Sequence, residues 1–364
     1  MRVALTHAFC WPEVRRGGER LVAELARALA SLGHDVTVFS SAFAPGRTTA
    51  DGVREIRFRR WRREVLAAEA DFGVRVLPPL AVARFDVVHS FGRRDGVASI
   101  RAARLHPRRA TVYTDIGIPS RSWWSSLGKE MTYAARVISD VDAYACLSQH
   151  ALDVLAADWG RAGVLLPGGV DLAQFRPAGA RTPEPTILFS GAIDEPRKGV
   201  DTLLQALPLI ARQEPDVRLL LSGPGDAGST LDRASSEARA RTDVLGIGSL
   251  EDQPARYGRA WACALPSLND TFGLALLEAL ACGTPIVAAD SGALAELVRV
   301  GETGALCRVG DPETTARACL EALALSRRAE TVDACRETAR RFDWLTSVGP
   351  RCAEVYREAV AERR

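Results

Sequence analysis

The sequence predicts an α/β protein built from two doubly wound parallel-sheet domains that face each other across a cleft. Short apolar, β-prone runs alternate with stretches of helical periodicity. The alternation stops at a Gly- and Pro-rich stretch and then starts again. The length, 364 residues, exceeds one ordinary hydrophobic core and suits two.

The first run, "RVALTHAF", is a strand, and "RRGGER" follows it with the flexible pair Gly17–Gly18. In "RLVAELARALASLG", Leu21, Val22, Leu25, Ala26, Leu29 and Leu32 recur at helical spacing. Gly33 stands where a left-handed C-terminal cap belongs. "DVTVFS" is the next strand, so the opening segment is a βαβ unit with parallel strands and a right-handed crossover. "FDVVHSF", "ATVYTD" and "VDAYACLS" supply further strands. "LPGGVDLAQFRPAGARTPEP" lacks long apolar periodicity and reads as an interdomain linker. Beyond it, "TILFSG", "VRLLLSG", "WACALPS", "TPIVAAD" and "TGALCRV" are strands, with helices in "GVDTLLQALPLIARQEP" and "TFGLALLEALACG". The predicted domains are 1–176 and 177–344, with the amphipathic tail 345–364 packing back on the first as a closing helix.

Hydrophobic residues make up 47% of the chain and charged residues 25%, the balance of a soluble globular protein. A formal net charge of +2 argues against nucleic acid as a partner, which calls for a strong basic excess. No apolar run reaches the ~18 residues of a spanning helix, and the N-terminus has no signal-peptide core. A cytoplasmic protein is expected, with peripheral contact at an anionic inner membrane face left open. The eight cysteines show no close pairing and the five histidines no metal-ligand spacing, so no metal site is expected. The cysteines read as small buried hydrophobes. Oligomeric state is not legible.

Ligands of doubly wound sheets bind beyond the carboxyl ends of the strands, which directs attention to the turns there. Lys129 and Lys198 are the only lysines among 47 Lys+Arg. Lys198 lies beside Arg197 in "FSGAIDEPRKGVD", in a loop just after a strand. Gly17 and Gly18 sit between a strand and a helix, where backbone N–H groups can approach a phosphate; a plain turn explains them equally well. The pair is not the dinucleotide fingerprint, and the second strand ends in "FSS" without an acidic ribose ligand, so a nicotinamide enzyme is not expected. In "NDTFGLALLEALACGTPIVAADSGALAELV" a helix starts near Thr271. Its first N–H groups, near Phe272, Gly273 and Leu274, and its dipole suit an anionic diphosphate. Asp270 and Glu278, about two turns apart, are carboxylates suited to sugar hydroxyls. The alternative is that Asp270 or Thr271 caps the helix and Glu278 is a solvated charge.

These segments resemble glycosyltransferase family 4, retaining enzymes of the GT-B fold with two Rossmann-like domains. The resemblance runs in order over nearly the whole chain. It includes "GGERLVAELARALASLGHDVTVFS", "LPGGVDLAQFRP", "FSGAIDEPRKGVDTLLQALPLI", "VRLLLSGPGD", "TFGLALLEALACGTPIVAADSGALAELV" and "RFDWLTSVGPRCAEVYREAV". The loop "DEPRKG" is similar to that of the family's phosphatidylinositol mannosyltransferases. The resemblance implies transfer of a sugar from a nucleoside-diphosphate-sugar to a hydroxyl acceptor, with retention and without metal or other cofactor. The leaving diphosphate is then stabilised by protein cations and dipoles alone. It assigns Lys198, beside Arg197, to the diphosphate and Asp270 to the donor-sugar hydroxyls, making these two the candidate catalytic residues. Gly17 and Gly18 would approach the diphosphate from the first domain, and Phe272, Gly273 and Leu274 would meet the phosphate and sugar. Glu278 would hold the ribose, and the backbone near Leu250 the base.

The chain departs from the family pattern at three places. Ala192 stands where an arginine usually partners the lysine, and lysine does not replace a bidentate guanidinium clamp. Asp270 replaces the usual glutamate. In "ATVYTDIG", Tyr113 holds the place of a histidine near the reacting sugar, with Asp115 close by. The departures keep two alternatives beside the transferase: a catalytically silent partner protein and a nucleotide-sugar epimerase. On the acceptor side, Trp123 and Trp124 in the polar loop "PSRSWWSS" could stack on a ring, against a reading of one buried and one half-exposed indole. "REIRFRRWRREV" sets Arg57, Arg59, Arg60, Arg62 and Arg63 around Phe58 and Trp61. Contact with anionic lipid is weighed there against a solvated charged face, which the arginine-rich composition favours.

Overall fold

The computed structural model describes residues 1–363 and separates into two compact units. Unit 1 is Met1–Gly169 together with the stretch from Trp344 onward, and unit 2 is Val170–Asp343.

Unit 1 holds strands β1 (Arg2–Thr6), β2 (Asp35–Ala42), β3 (Gly46–Ala50), β4 (Val53–Arg59), β5 (Val87–Ser90), β6 (Ala110–Asp115), β7 (Ala143–Cys146) and β8 (Val164–Leu165). They form one sheet in the order β3-β4-β2-β1-β5-β6-β7-β8, with every pair parallel except the β3–β4 hairpin. Parallel strands require crossovers that cover both faces, and β1 and β5 are accordingly buried from Val3 to Thr6 and from Val87 to Ser90. The Gly17–Ser31 helix lays Leu21, Val22, Leu25, Ala26 and Leu29 inward. Leu32, expected on the same stripe, is 39% exposed because the helix ends there and Gly33 turns the chain at φ +84°. Strands β3, β4 and β8 were not among the expected ones. β3 is largely exposed and rich in Thr and Arg, and β8 is only two residues long, so neither shows an apolar run.

The tail docks on unit 1. Trp344 Nε1 donates to Glu24 Oε2 at 2.9 Å, and the Gly349–Glu362 helix sets the Tyr356 hydroxyl 2.7 Å from His89 Nδ1. His89 Nε2 meets Thr114 Oγ1 at 2.7 Å, and burial lowers its pKa to about 3, so the imidazole is a neutral core bridge. Of the expected span 345–364, Arg364 lies outside the described residues.

Unit 2 is a six-stranded, wholly parallel sheet of β9 (Thr186–Ser190), β10 (Arg218–Ser222), β11 (Thr242–Gly246), β12 (Ala262–Leu265), β13 (Ile286–Ala289) and β14 (Gly304–Cys307). Its order, β11-β10-β9-β12-β13-β14, reverses direction between β9 and β12. That switch point is where a doubly wound sheet opens a crevice for a ligand. β11, also unexpected from the sequence, is a half-exposed edge strand.

The division falls after Gly169, not after residue 176. Val170 N–H donates to the Phe342 carbonyl at 2.9 Å, and the Phe175 ring packs 6.2 Å from that of Tyr257, which ties this stretch to unit 2. The second crossing falls before Trp344 because its indole belongs to unit 1. All eight cysteines are buried free thiols. No helix among the described residues is long and apolar enough to cross a membrane, and no group of His, Cys, Asp or Glu there is placed to hold a metal ion.

Candidate functional site

In unit 2 the turns that follow β9, β10 and β12 are fastened to one another. Gly191 N–H donates to the Ser222 carbonyl at 2.9 Å, and Gly223, at φ +144°, lies so close that a Cβ there would stand 1.8 Å from the Gly191 oxygen. After β9 the chain forms a short 3-10 turn, Pro196–Lys198. The Arg197 carbonyl then accepts from both Leu268 N–H (2.7 Å) and Ser267 Oγ (3.1 Å) in the turn after β12. This tie brings Lys198 to Asp270: Nζ donates to Oδ1 at 2.9 Å and to Oδ2 at 2.8 Å, with the two side chains 15% and 14% exposed. Arg197 Nη1 stands 3.5 Å from Asp270 Oδ1, and its Nε bonds Glu195. Ala192 contributes no charge.

The neighbouring Leu274–Ala281 helix is capped by Gly273, at φ +93°, with no side-chain cap. A Cβ on Gly273 would meet Leu294 Cδ2 at 2.5 Å, so both the conformation and the space favour glycine. Leu274 is the first helical residue, and Phe272 is buried with its ring 5.6 Å from that of Phe342. The alternative for the two carboxylates does not hold, and with no side-chain cap on this helix Thr271 does not cap it either. Asp270 is engaged by Lys198 and does not cap the helix, and Glu278 is no solvated charge, being 3% exposed. Glu278 lies close to the buried Tyr257 hydroxyl, which donates to Ser190 Oγ at 2.9 Å. Burial, with the Glu278 charge adding to it, pushes the Tyr257 phenol well above its ordinary pKa. Leu250 lies in the turn after β11, where its carbonyl accepts from Gln174 Nε2 at 3.4 Å.

In unit 1, Gly17 and Gly18 are the first two residues of their helix rather than a turn before it. A Cβ on Gly18 would stand 2.7 Å from Ile116 Cδ1, in the turn after β6. Glu19, one residue further on, is 3% exposed. Its Oε1 accepts from Arg16 Nε at 3.1 Å and lies 3.5 Å from His7 Nε2, just beyond β1. Burial pushes the Glu19 carboxyl up, but His7 and Arg16 outweigh it and hold it at about 2. His7 Nδ1 and Glu19 Oε2 are buried without a partner.

Among the acceptor-side candidates, Tyr113 and Asp115 are buried, and the two indoles divide into one buried and one exposed. Tyr113 is 3% exposed, its ring 5.2 Å from that of Tyr144, and burial raises its phenol well above the usual value. Asp115 accepts from Tyr144 Oη at 2.7 Å and Gly117 N–H at 2.8 Å, and burial raises its carboxyl. "RSWWSS" is a short helix, Arg121–Ser126, not a loop. It leaves Trp123 58% exposed and buries Trp124 under the Arg93 guanidinium, 4.2 Å from the ring, with Trp124 Nε1 unpartnered. In the basic stretch, Arg60 is buried on Glu13, and Arg57 lies 3.8 Å from Glu55. Phe58 packs between Phe39 and Phe72, while Trp61 is 63% exposed with Arg59 over its ring.

Sequence reasoning missed His7, Glu19, Arg93 and Tyr257. "THAF" at a strand end and a glutamate in a first helical turn were available signals for the first two; nothing in the sequence marks Arg93 among so many arginines, or ties Tyr257 to Glu278.

Two parallel α/β units, one with a lysine and a carboxylate at its switch point beside a glycine-led helix, define a GT-B glycosyltransferase architecture. Residues 15–174 match the family model described as Glycosyltransferase Family 4, and residues 184–324 that described as Glycosyl transferases group 1. The chain is 31% identical to a D-inositol 3-phosphate glycosyltransferase of Acidothermus cellulolyticus, covering 94% of this chain and 86% of that protein. It is 29% identical to a phosphatidyl-myo-inositol mannosyltransferase of Propionibacterium freudenreichii, over 98% and 94% of the two chains. The fold matches that of Anabaena HepE, solved in complex with UDP-glucose, with a TM-score of 0.77 at 19% identity, covering 98% of this chain and 100% of that one. The chain belongs to the family 4 glycosyltransferases.

Proposed function

We propose that the protein is a retaining glycosyltransferase that moves a sugar from a nucleoside-diphosphate-sugar to a hydroxyl acceptor without a metal or other cofactor. The pairing of Lys198 and Asp270 at the β9/β12 switch point carries the reading. Lys198 is a compact cation for the diphosphate, and the N–H groups at Gly273 and Leu274 add the partial positive charge of a helix start. Asp270 accepts from hydroxyls of the donor sugar, and Glu278 from those of the ribose. In the transfer, the bond from the anomeric carbon to the diphosphate oxygen breaks and a bond to the acceptor oxygen forms on the same face. The acceptor proton leaves with the diphosphate. The UDP-glucose held by Anabaena HepE supports the donor class.

The acceptor is assigned to unit 1, where His7, Glu19 and Trp124 have unpartnered buried polar atoms. The inositol named in both relatives makes an inositol-bearing hydroxyl the first acceptor to test. We place the protein in the cytoplasm, in peripheral contact with anionic membrane through Trp61 and its neighbouring arginines. Titration with UDP-, GDP- and ADP-sugars, followed by slow donor hydrolysis, tests the function. One class should bind and turn over, and Lys198→Ala should weaken that binding at least roughly tenfold, since a charge-assisted contact is worth ~1.5–3 kcal/mol. No binding by any donor would leave a silent partner protein, and donor conversion without acceptor an epimerase. Near-normal affinity in Lys198→Ala would remove the role given to that residue.

A further inference from the structure

We infer that Asp270 is an internal competitor for the diphosphate site, and that it thereby sets a preference for the intact nucleotide-sugar over the free nucleoside diphosphate. The inference rests on the donor-site reading above. Both oxygens of Asp270 chelate Lys198 Nζ, at 2.9 and 2.8 Å, in a setting that leaves each side chain about 85% covered. A pair so far removed from water is not a screened surface contact. The second cation of the loop is also matched, with Arg197 bonded to Glu195 and 3.5 Å from Asp270. With Ala192 in the remaining place, the cations of the β9 turn are balanced by carboxylates before any ligand arrives.

A diphosphate entering this site must take Lys198 from Asp270 or share it. Sharing sets two anions on one ammonium at short range, which is repulsive. Displacement leaves Asp270, a largely buried carboxylate, with only the long 3.5 Å contact to the half-exposed Arg197, which is costly unless hydroxyl donors replace the ammonium. An intact donor brings those hydroxyls on its sugar, and a free nucleoside diphosphate does not. The exchange is a side-chain event, because the backbone of the two turns is pinned by the bonds of Leu268 and Ser267 to the Arg197 carbonyl. Product release is favoured by the same contact: once the sugar has left, Asp270 competes again for Lys198.

The test is equilibrium titration of the full chain with UDP, GDP and ADP, their sugar conjugates, and inorganic pyrophosphate. The wild type should bind the preferred nucleotide-sugar several-fold more tightly than the matching diphosphate. Asp270→Asn, and Asp270→Ser as a second charge-removing variant, should bind the free diphosphate and pyrophosphate about tenfold more tightly, matching the loss of an opposing contact worth one decade. In both, the preference for the conjugate should collapse. Unchanged or weaker diphosphate binding in both folded variants, while the wild type binds donor normally, overturns the inference and leaves the donor site standing. Failure of the wild type to bind any of these ligands overturns the donor-site reading and the inference together.

Discussion

Glu19 holds a charge where burial opposes one, and its pH dependence shows how much His7 and Arg16 contribute. Its carboxyl lies at about 2 against an ordinary 4.5. The folded-state value is depressed, so the stabilisation is complete above about 4.5 and is lost as pH falls toward 2. A shift of this size corresponds to on the order of 3 kcal/mol. Glu19→Gln should therefore be less stable than wild type at neutral pH, with the gap in denaturation free energy closing by roughly half at pH 3. A gap that stays constant with pH would show that Glu19 contributes through packing alone. Residue-level legibility in the candidate site was uneven. Lys198 stood out because lysine is scarce and a strand precedes it, and Gly273 and Leu274 because a helix start is visible in the pattern. The Lys198–Asp270 contact joins two turns far apart in sequence, and the burial of Glu278 on Tyr257 depends on side-chain direction; neither is written in local spacing.

Elements were legible where burial is two-sided or periodic. The fully parallel strands β1, β5, β9, β12 and β13 read as apolar runs because helices cover both faces. Edge elements did not, as β3 is largely exposed and β11 half-exposed, and neither needs an apolar pattern. The end of β4 is the case with a functional consequence. Its strand structure draws Arg57, Phe58 and Arg60 into packing and ion pairs, and so removes part of the basic cluster that the sequence shows. What remains outside is Trp61 at 63% and Phe43 at 46% exposure, next to the exposed Arg59, Arg62 and Arg63, with Val65 and Leu66 beginning the following helix. Exposed aromatics ringed by arginine suit an anionic lipid surface better than bulk water. The protein should co-sediment with vesicles containing phosphatidylglycerol and release as salt rises, and Trp61→Ser should weaken the association about tenfold, the scale of losing one buried indole. Equal sedimentation with neutral and anionic vesicles, or none with either, would return this stretch to a solvated charged face.

At the scale of the molecule, the restart of the βαβ pattern and the Gly/Pro stretch disclosed two units, while the border between them needed contacts. Val170–Asp343 is contiguous, carries its own six-stranded sheet, and should fold when expressed alone. At this size a unit buries about 70% of its unfolded surface, enough for independent stability. Unit 1 is discontinuous, and residues 1–169 alone lack Trp344 and the Gly349–Glu362 helix. Without them, Glu24 loses its indole partner, His89 loses the Tyr356 hydroxyl, and the apolar side chains that pack under Val355 and Tyr356 open to water. An unpaired buried imidazole nitrogen costs ~1–3 kcal/mol, before the lost apolar burial is counted. Fragment 170–343 should therefore melt cooperatively and retain the part of any diphosphate binding that Lys198, Gly273 and Leu274 supply, because these lie within it, and lose only what Gly17 and Gly18 add. Fragment 1–169 should aggregate or lack a cooperative transition. Covalent addition of 344–364 through a short linker should restore one. A cooperative transition in 1–169 at the full-length midpoint would mean that the tail merely decorates unit 1, and that its bonds to Glu24 and His89 carry none of the unit's stability.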